Sequence, residues 1–288
     1  MFSQRSKHIW HGILFLLAGI FMLGSYVVYT GVDGIVAEPF QWGTAAAVGL
    51  IIGGFALLWQ GRRWFASEHP AIEYYDAIVV ALGIAMVIRT FVVEPFKIPS
   101  GSMIPTLLVG DYLFVNKVAY GYRLPYSNNR ILMGEGPKRG DIAVFEFPMD
   151  PAKDYIKRIV GLPGDRIAYQ DKRLYVNGQP VKYDLQGRYT YSNELSRPVS
   201  TVRFTETIGE RAYDILVQPT VPPGHRMQQV VPEGHYFVMG DNRDNSNDSR
   251  FWGFVPAHRL VGEAVRLFWS WDGLEGSVRF GRIGQPIL

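Results

Sequence analysis

"EPFKIPSGSMIPTLLVGDYLFVNKVAYG", residues 94–121, is where the chain changes character. The residues before it are dominated by long apolar runs. From it onward, apolar and polar residues alternate in short blocks broken by Gly, Pro and Asp. Period-2 alternation places successive side chains on opposite faces of a strand. DYLFVNKVAYG (111–121), DIAVFEFP (141–148), RLYVNG (173–178), HYFVMGD (235–241) and AVRLFWSW (264–271) all carry it. The expectation is a mainly β domain preceded by membrane helices. The more polar, loop-rich stretch 166–230 reads as a β-rich insertion. It divides the sheet domain into a first part, 94–165, and a second, 231–288.

The apolar runs come first. Ile9–Tyr29 has no charge and is long enough to cross a bilayer, and Gly43–Trp59 is a shorter run flanked by aromatic residues. Ala77–Val93 is a third, interrupted by Arg89, whose long side chain can reach the headgroups. The segments flanking these runs alternate basic (Arg5, Lys7), acidic (Asp33, Glu38) and basic (Arg62, Arg63). Three helices with a cytoplasmic N-terminus satisfy the positive-inside rule and set everything after residue 93 on the outer side. If the third run is a buried helix instead, that orientation inverts.

The net charge is +3, without a basic stripe, which speaks against a nucleic-acid partner. The absence of cysteine excludes thiol chemistry and disulfides, and the six histidines form no close metal-ligand pair. No cofactor is expected.

Three stretches could carry chemistry. In the opening one, Ser100 and Ser102 flank Gly101 between Pro99 and Pro105. Ser102 reads as a nucleophile in a stiffened segment, or as the cap of a short turn. If the segment is extended, the two hydroxyls share a side. In "DYIKRIVGLPGD" (154–165), Tyr155 to Val160 form a strand with Tyr155, Lys157 and Ile159 on one face and Ile156, Arg158 and Val160 on the other. Whichever face packs inward takes a cation with it. Lysine can lose its proton when desolvated, whereas arginine cannot. At a reference pKa of ~10.4 only about 0.4% of a lysine is neutral at pH 8, so a lysine base needs an apolar site. The competing reading is a solvated lysine on an edge strand. "MGDNRDNSNDSRFWGFVP" (239–256) is a polar loop presenting Ser246; it lacks the turn glycine and closing glutamate of a calcium loop. A Ser-His-Asp triad using His235 or His258 with Asp241 is the rival for Ser102.

Together these stretches, with "RGDIAVFEFP", occur in the order found in bacterial signal peptidase I, which the chain resembles over nearly everything after the apolar runs except the insertion. The resemblance implies a mainly β fold, an antiparallel β-sheet catalytic domain with a β-rich insertion, and a membrane-bound serine endopeptidase in which Ser102 is the nucleophile and Lys157 the general base. It implies that Ser100 and the Ser102 N–H form the oxyanion hole and that Ser246 orients the amine. Arg158 would pair with Asp241, and Arg250 with Asp248. Phe96, Ile98, Leu107, Val144, Tyr155 and Ile156 would line pockets for small residues at −1 and −3 of a preprotein's signal peptide. The implied partners are such preproteins and the lipid bilayer, at the outer face of the bacterial cytoplasmic membrane. Phe268, Trp269 and Trp271 could seat the domain on headgroups or serve the core. An inactive, membrane-anchored peptide-binding scaffold of the same fold is the alternative.

Overall fold

The computed structural model describes residues 92–121, 136–192, 196–224 and 226–287, together with helical Ala81, Ala85, Ile88 and Arg89. The expected spans 9–29 and 43–59, and most of 77–93, lie outside the described residues. Val93 itself already opens a strand, so the third run stops short of it as a helix. Among the described residues no helix is long and apolar enough to cross a membrane.

Fifteen strands carry the described fold. β1 (Val93–Lys97), β2 (Asp111–Asn116), β3 (Ile142–Phe147) and β4 (Asp150–Gly161) come first. β5 (Arg166–Gln170), β6 (Arg173–Val176), β7 (Gln179–Pro180) and β8 (Lys182–Ser192) come after them. Next are β9 (Pro198–Ile208), β10 (Arg211–Val217), β11 (Met227–Val230) and β12 (His235–Met239). β13 (Val255–Pro256), β14 (Leu260–Asp272) and β15 (Ser277–Val278) close the chain, with one short helix, α1 (Ser249–Trp252), before them.

The strands form three antiparallel sheets. The largest has the order β1-β2-β14-β3-β4-β12-β13, with β15 paired to β14. It is built from the two sequence blocks on either side of residues 166–230, so the chain leaves the sheet after β4 and returns at β12. The intervening residues make two smaller sheets, β10-β9-β8 and β11-β5-β6-β7.

Alternation explains the packing of β2, whose Asp111, Leu113 and Val115 are buried while Phe114 is exposed. Ile98, Met103, Leu107, Leu113, Val115, Val144, Ile156 and Leu267 share one apolar cluster. A second holds Ala143, Phe145, Ile159, Val238 and Leu260. The third joins the insertion to the main sheet: Ile167, Leu174, Tyr213 and Ile215 pack with Val160, Phe237 and Met239. The insertion therefore shares a dry core with β4 and β12. It is no loosely tethered appendage.

Candidate active site

The serine stretch leaves β1 at Lys97 and folds into a single 3-10 turn, Gly101–Met103. Ser100 is extended (φ −130°, ψ 157°), but the extended segment ends there, and Ser102 lies inside the turn rather than capping it. The turn still brings the Ser100 and Ser102 hydroxyl oxygens to 3.5 Å, the outer limit of a hydrogen bond. Ser102 is buried, with 8% of its surface exposed.

Lys157 comes from the middle of β4, held in register by Ala143 of β3. Its Nζ lies 2.8 Å from Ser102 Oγ and donates to the Ile156 carbonyl at 2.8 Å. The Tyr155 ring is 5.4 Å away. Lys157 is 4% exposed, and this burial lowers its pKa to about 8, against the upward pull of Asp248 and Asp241. Why burial wins is visible in the partners of those two acids. Asp241 takes a two-pronged pair from Arg158 Nε and Nη2 (2.9 and 2.8 Å), and Asp248 one from Arg250 (both 2.8 Å). Each carboxylate near the amine thus has its own arginine, so little negative field remains to hold the ammonium. Asp248 stays below the usual carboxylate range: burial opposes its ionisation, but Arg250 and the Gly240 N–H outweigh that.

Of the cations of β4, exposed Lys153 pairs with Asp150, while the adjacent Lys157 and Arg158 are both buried, on opposite faces. Arg158 is fully enclosed, donates to the Gly140 carbonyl at 2.7 Å, and stacks over the Tyr213 ring at 3.7 Å. The solvated-lysine reading fails because β4 is an interior strand, paired on both sides by β3 and β12.

Five of the six residues expected to line a pocket gather in one place. Ile98, Leu107, Val144 and Ile156 are buried together with half-buried Phe96 against them. Tyr155 belongs to the other face of β4, with its ring stacked on Phe147 at 4.3 Å between centroids. Adjacent strand residues point to opposite sides, so Tyr155 stands on the Lys157 side of β4, its ring near the amine, and Ile156 on the other. Ser246 lies in the loop that closes over the serine turn, its hydroxyl buried beside Gly240 and the Asp248 carboxylate. A Cβ on Gly240 would come within 2.3 Å of that hydroxyl and 2.5 Å of the Ser102 carbonyl oxygen, so only glycine lets the loop close over the serine turn. His235 gives its ring Nδ1 to the Glu233 carbonyl in an exposed bond and takes no part.

Several residues that hold the site were not singled out from the sequence. Asn242 bonds the serine turn twice, its N–H to the Ser102 carbonyl and its Nδ2 to the Gly101 carbonyl, both at 3.0 Å. Arg243 is fully buried and clasped by Glu206 of β9 at 2.6 and 2.7 Å. The Tyr213 hydroxyl donates to the same glutamate. Lys172 and the Gln218 N–H hold Asp244. Glu206, Tyr213, Lys172 and Gln218 all come from the insertion, which closes the loop from behind.

The sequence that builds this site has relatives among known proteins. The profile of the signal peptidase family, peptidase S26, matches residues 71–269. The chain belongs to this family. A signal peptidase I of Pseudomonas fluorescens is 44% identical over 235 residues, spanning 76% of this chain and 80% of that protein. That of Pseudomonas aeruginosa is 42% identical with the same coverage. That of Haemophilus influenzae is 37% identical over 69% of this chain and 70% of its own. As a family member the chain is a peptidase of the signal peptidase I type. Its match includes β1 to β4, the insertion and the loop before α1, so both the serine turn and its braces fall within the family region.

Proposed function

We infer that the protein is a membrane-bound serine endopeptidase that removes N-terminal signal peptides from preproteins at the outer face of the cytoplasmic membrane. The observation carrying this reading is the 2.8 Å contact between Lys157 Nζ and Ser102 Oγ, both buried. Ser102 attacks the scissile carbonyl carbon while its proton passes to the neutral Lys157 amine. The resulting oxyanion is met by the Ser100 hydroxyl and the Ser102 N–H. Collapse breaks the C–N bond, and the departing amine of the mature protein takes the proton from Lys157. A water then gives a proton to Lys157 as it attacks the acyl-serine; Lys157 passes that proton to Ser102 Oγ as the C–Oγ bond breaks, releasing the signal peptide with a free carboxylate. The Ser246 hydroxyl, buried close to the serine turn, orients the amine.

The tight cluster of Ile98, Leu107, Val144 and Ile156 beside half-buried Phe96 favours small side chains at −1 and −3, because the closely packed walls leave shallow pockets. Attachment through the apolar runs 9–29, 43–59 and 77–93 would hold the domain where a signal peptide's apolar core lies, raising effective concentration. Phe268 stacks on Phe114 at 4.4 Å, and Trp269 and Trp271 are each about two-fifths exposed (41% and 42%), which suits seating on headgroups better than core packing. The inactive-scaffold alternative is disfavoured because both reacting groups are present and in contact. Incubating the full-length protein with a preprotein, then locating the cut by mass spectrometry, tests the reading. Wild type should release the signal peptide at one bond and Ser102→Ala should release none; equal cleavage by both refutes it.

A further inference from the structure

A cleft of ≈820 Å³ opens beside the serine turn and lies outside the apolar cluster assigned to the signal peptide. Its walls are Gly101, Asn245, Tyr189 and Tyr191 of β8, and Leu274 and Glu275 of the β14–β15 turn. We propose that this cleft receives the mature segment of the preprotein, the residues on the C-terminal side of the cut bond, as an extended chain laid along β8. The inference rests on the peptidase reading above and deepens it.

Continuity with the site is the first support. Gly101 separates Ser100 from Ser102, so the cleft begins within one residue of the reacting hydroxyl. The pocket residues Ile98, Leu107, Val144 and Ile156 lie together in their own cluster, and neither they nor Phe96 line the cleft. A substrate with its scissile carbonyl at Ser102 and its signal-peptide side chains in that cluster has this space for its mature residues.

The second support is main chain. In the order β10-β9-β8, β8 is an edge, bonded to β9 alone, and residues 189–192 run along the cleft wall. An edge strand presents alternate unpaired N–H and C=O groups, and an extended peptide satisfies them whatever its side chains are. That property is what an enzyme acting on many precursors needs on the mature side. The lining agrees: tyrosine, threonine, serine and asparagine mix with Ile104 and Leu274, a surface suited to a mature segment of mixed composition rather than to an apolar signal core. Asp272 in the wall is already paired with Arg279 at 2.9 Å, which leaves Glu275 as the remaining charge of the lining. The Tyr191 hydroxyl also accepts from Asn242 Nδ2 (2.9 Å), the group that holds the Gly101 carbonyl, so the cleft wall and the serine turn meet at one amide.

The test uses full-length protein in detergent and two substrates with one signal peptide, ending two or ten neutral residues after the cut. Wild type should cut the longer one with kcat/KM about five-fold or more higher, from added main-chain contacts. In the Thr190→Arg/Leu274→Arg double variant, which fills the cleft from exposed positions, the long-to-short ratio should fall to about one. A second arm places a photoreactive benzoylphenylalanine three residues after the cut and maps its adducts on Ser102→Ala protein. Adducts on residues 189–192 or 272–275 support the cleft. Adducts confined to β1 and β4, or a ratio the double variant leaves unchanged, overturn it. If wild type cuts neither substrate the peptidase reading fails, and the cross-link map still judges the cleft by itself.

Discussion

Lys157 and Arg158 are adjacent in β4, both buried, and serve opposite faces: Lys157 Nζ ends on Ser102 Oγ at 2.8 Å, and Arg158 ends on Asp241 at 2.8 and 2.9 Å. One cation is left without a carboxylate partner and the other has a complete one. The strand's alternation thus sorts a titrating amine from a permanently charged anchor within two residues. Arg158 holds Asp241 in place and neutralises it, and so helps Lys157 lose its proton.

The buried amine should cost stability at neutral pH. With a folded pKa of about 8 against a reference of ~10.4, the unfolded state binds more protons between those values, so unfolding free energy rises with pH across that window. Below about 8 both states are protonated and the burial penalty, on the order of 3 kcal/mol, is fully felt. Lys157→Met should therefore be more stable than wild type at pH 7, with the difference shrinking towards pH 10. Denaturant unfolding at several pH values measures it; a difference constant with pH contradicts a depressed pKa.

Arg250 should tune the base from a distance. Replacing it with Met leaves the Asp248 charge without its arginine, and that charge pulls the Lys157 pKa upward. The pH at which cleavage is half-maximal should move to higher values than in wild type. Arg250 also caps the loop through the Arg243 carbonyl, so loss of rate alone would be uninformative. The displacement of the pH profile is the readout, and an unshifted profile contradicts the field argument.

The insertion should prove inseparable from the site. Glu206→Ala would leave the Arg243 guanidinium buried and unpaired, at a cost of about 3–5 kcal/mol. Thermal unfolding should show a large drop in Tm, while Lys182→Ala, whose pair with Asp184 is exposed, should show almost none. Equal, small effects from the two substitutions would mean that the Glu206–Arg243 pair is not the clasp described.

Much of the fold was legible because alternation is a local signal. DYLFVN carries a period-2 pattern that matches β2, whereas IAVFEF is β3 with Ile142 to Phe145 all buried, an apolar run on an interior strand covered on both faces. Six residues read as strand around Lys157 became twelve in β4, because tertiary pairing with β3 and then β12 extends a strand beyond its own pattern. The contact between Ser102 and Lys157, 55 residues apart, came from no spacing and rested on resemblance. Glu206 and Tyr213 were invisible, since their partners Arg243 and Arg158 lie in blocks far along the chain and a lone acid or tyrosine in a strand carries no mark of burial. Ser246 lies in a loop that the sequence marks as polar, but how close its hydroxyl comes to the serine turn depends on the approach that Gly240 permits. The first two apolar runs and most of the third, readable from hydropathy alone, lie outside the described residues.

The central claim is that an uncharged Lys157 takes the Ser102 proton, and the pH dependence of kcat/KM for preprotein cleavage tests it most directly. The account predicts a rise from pH 6 with a half-maximal point near 8, the pKa of the buried amine, and loss of that activity in Lys157→Ala while Ser102 stays in place. A rate that is flat across that range, or a Lys157→Ala protein that cuts normally, would contradict it.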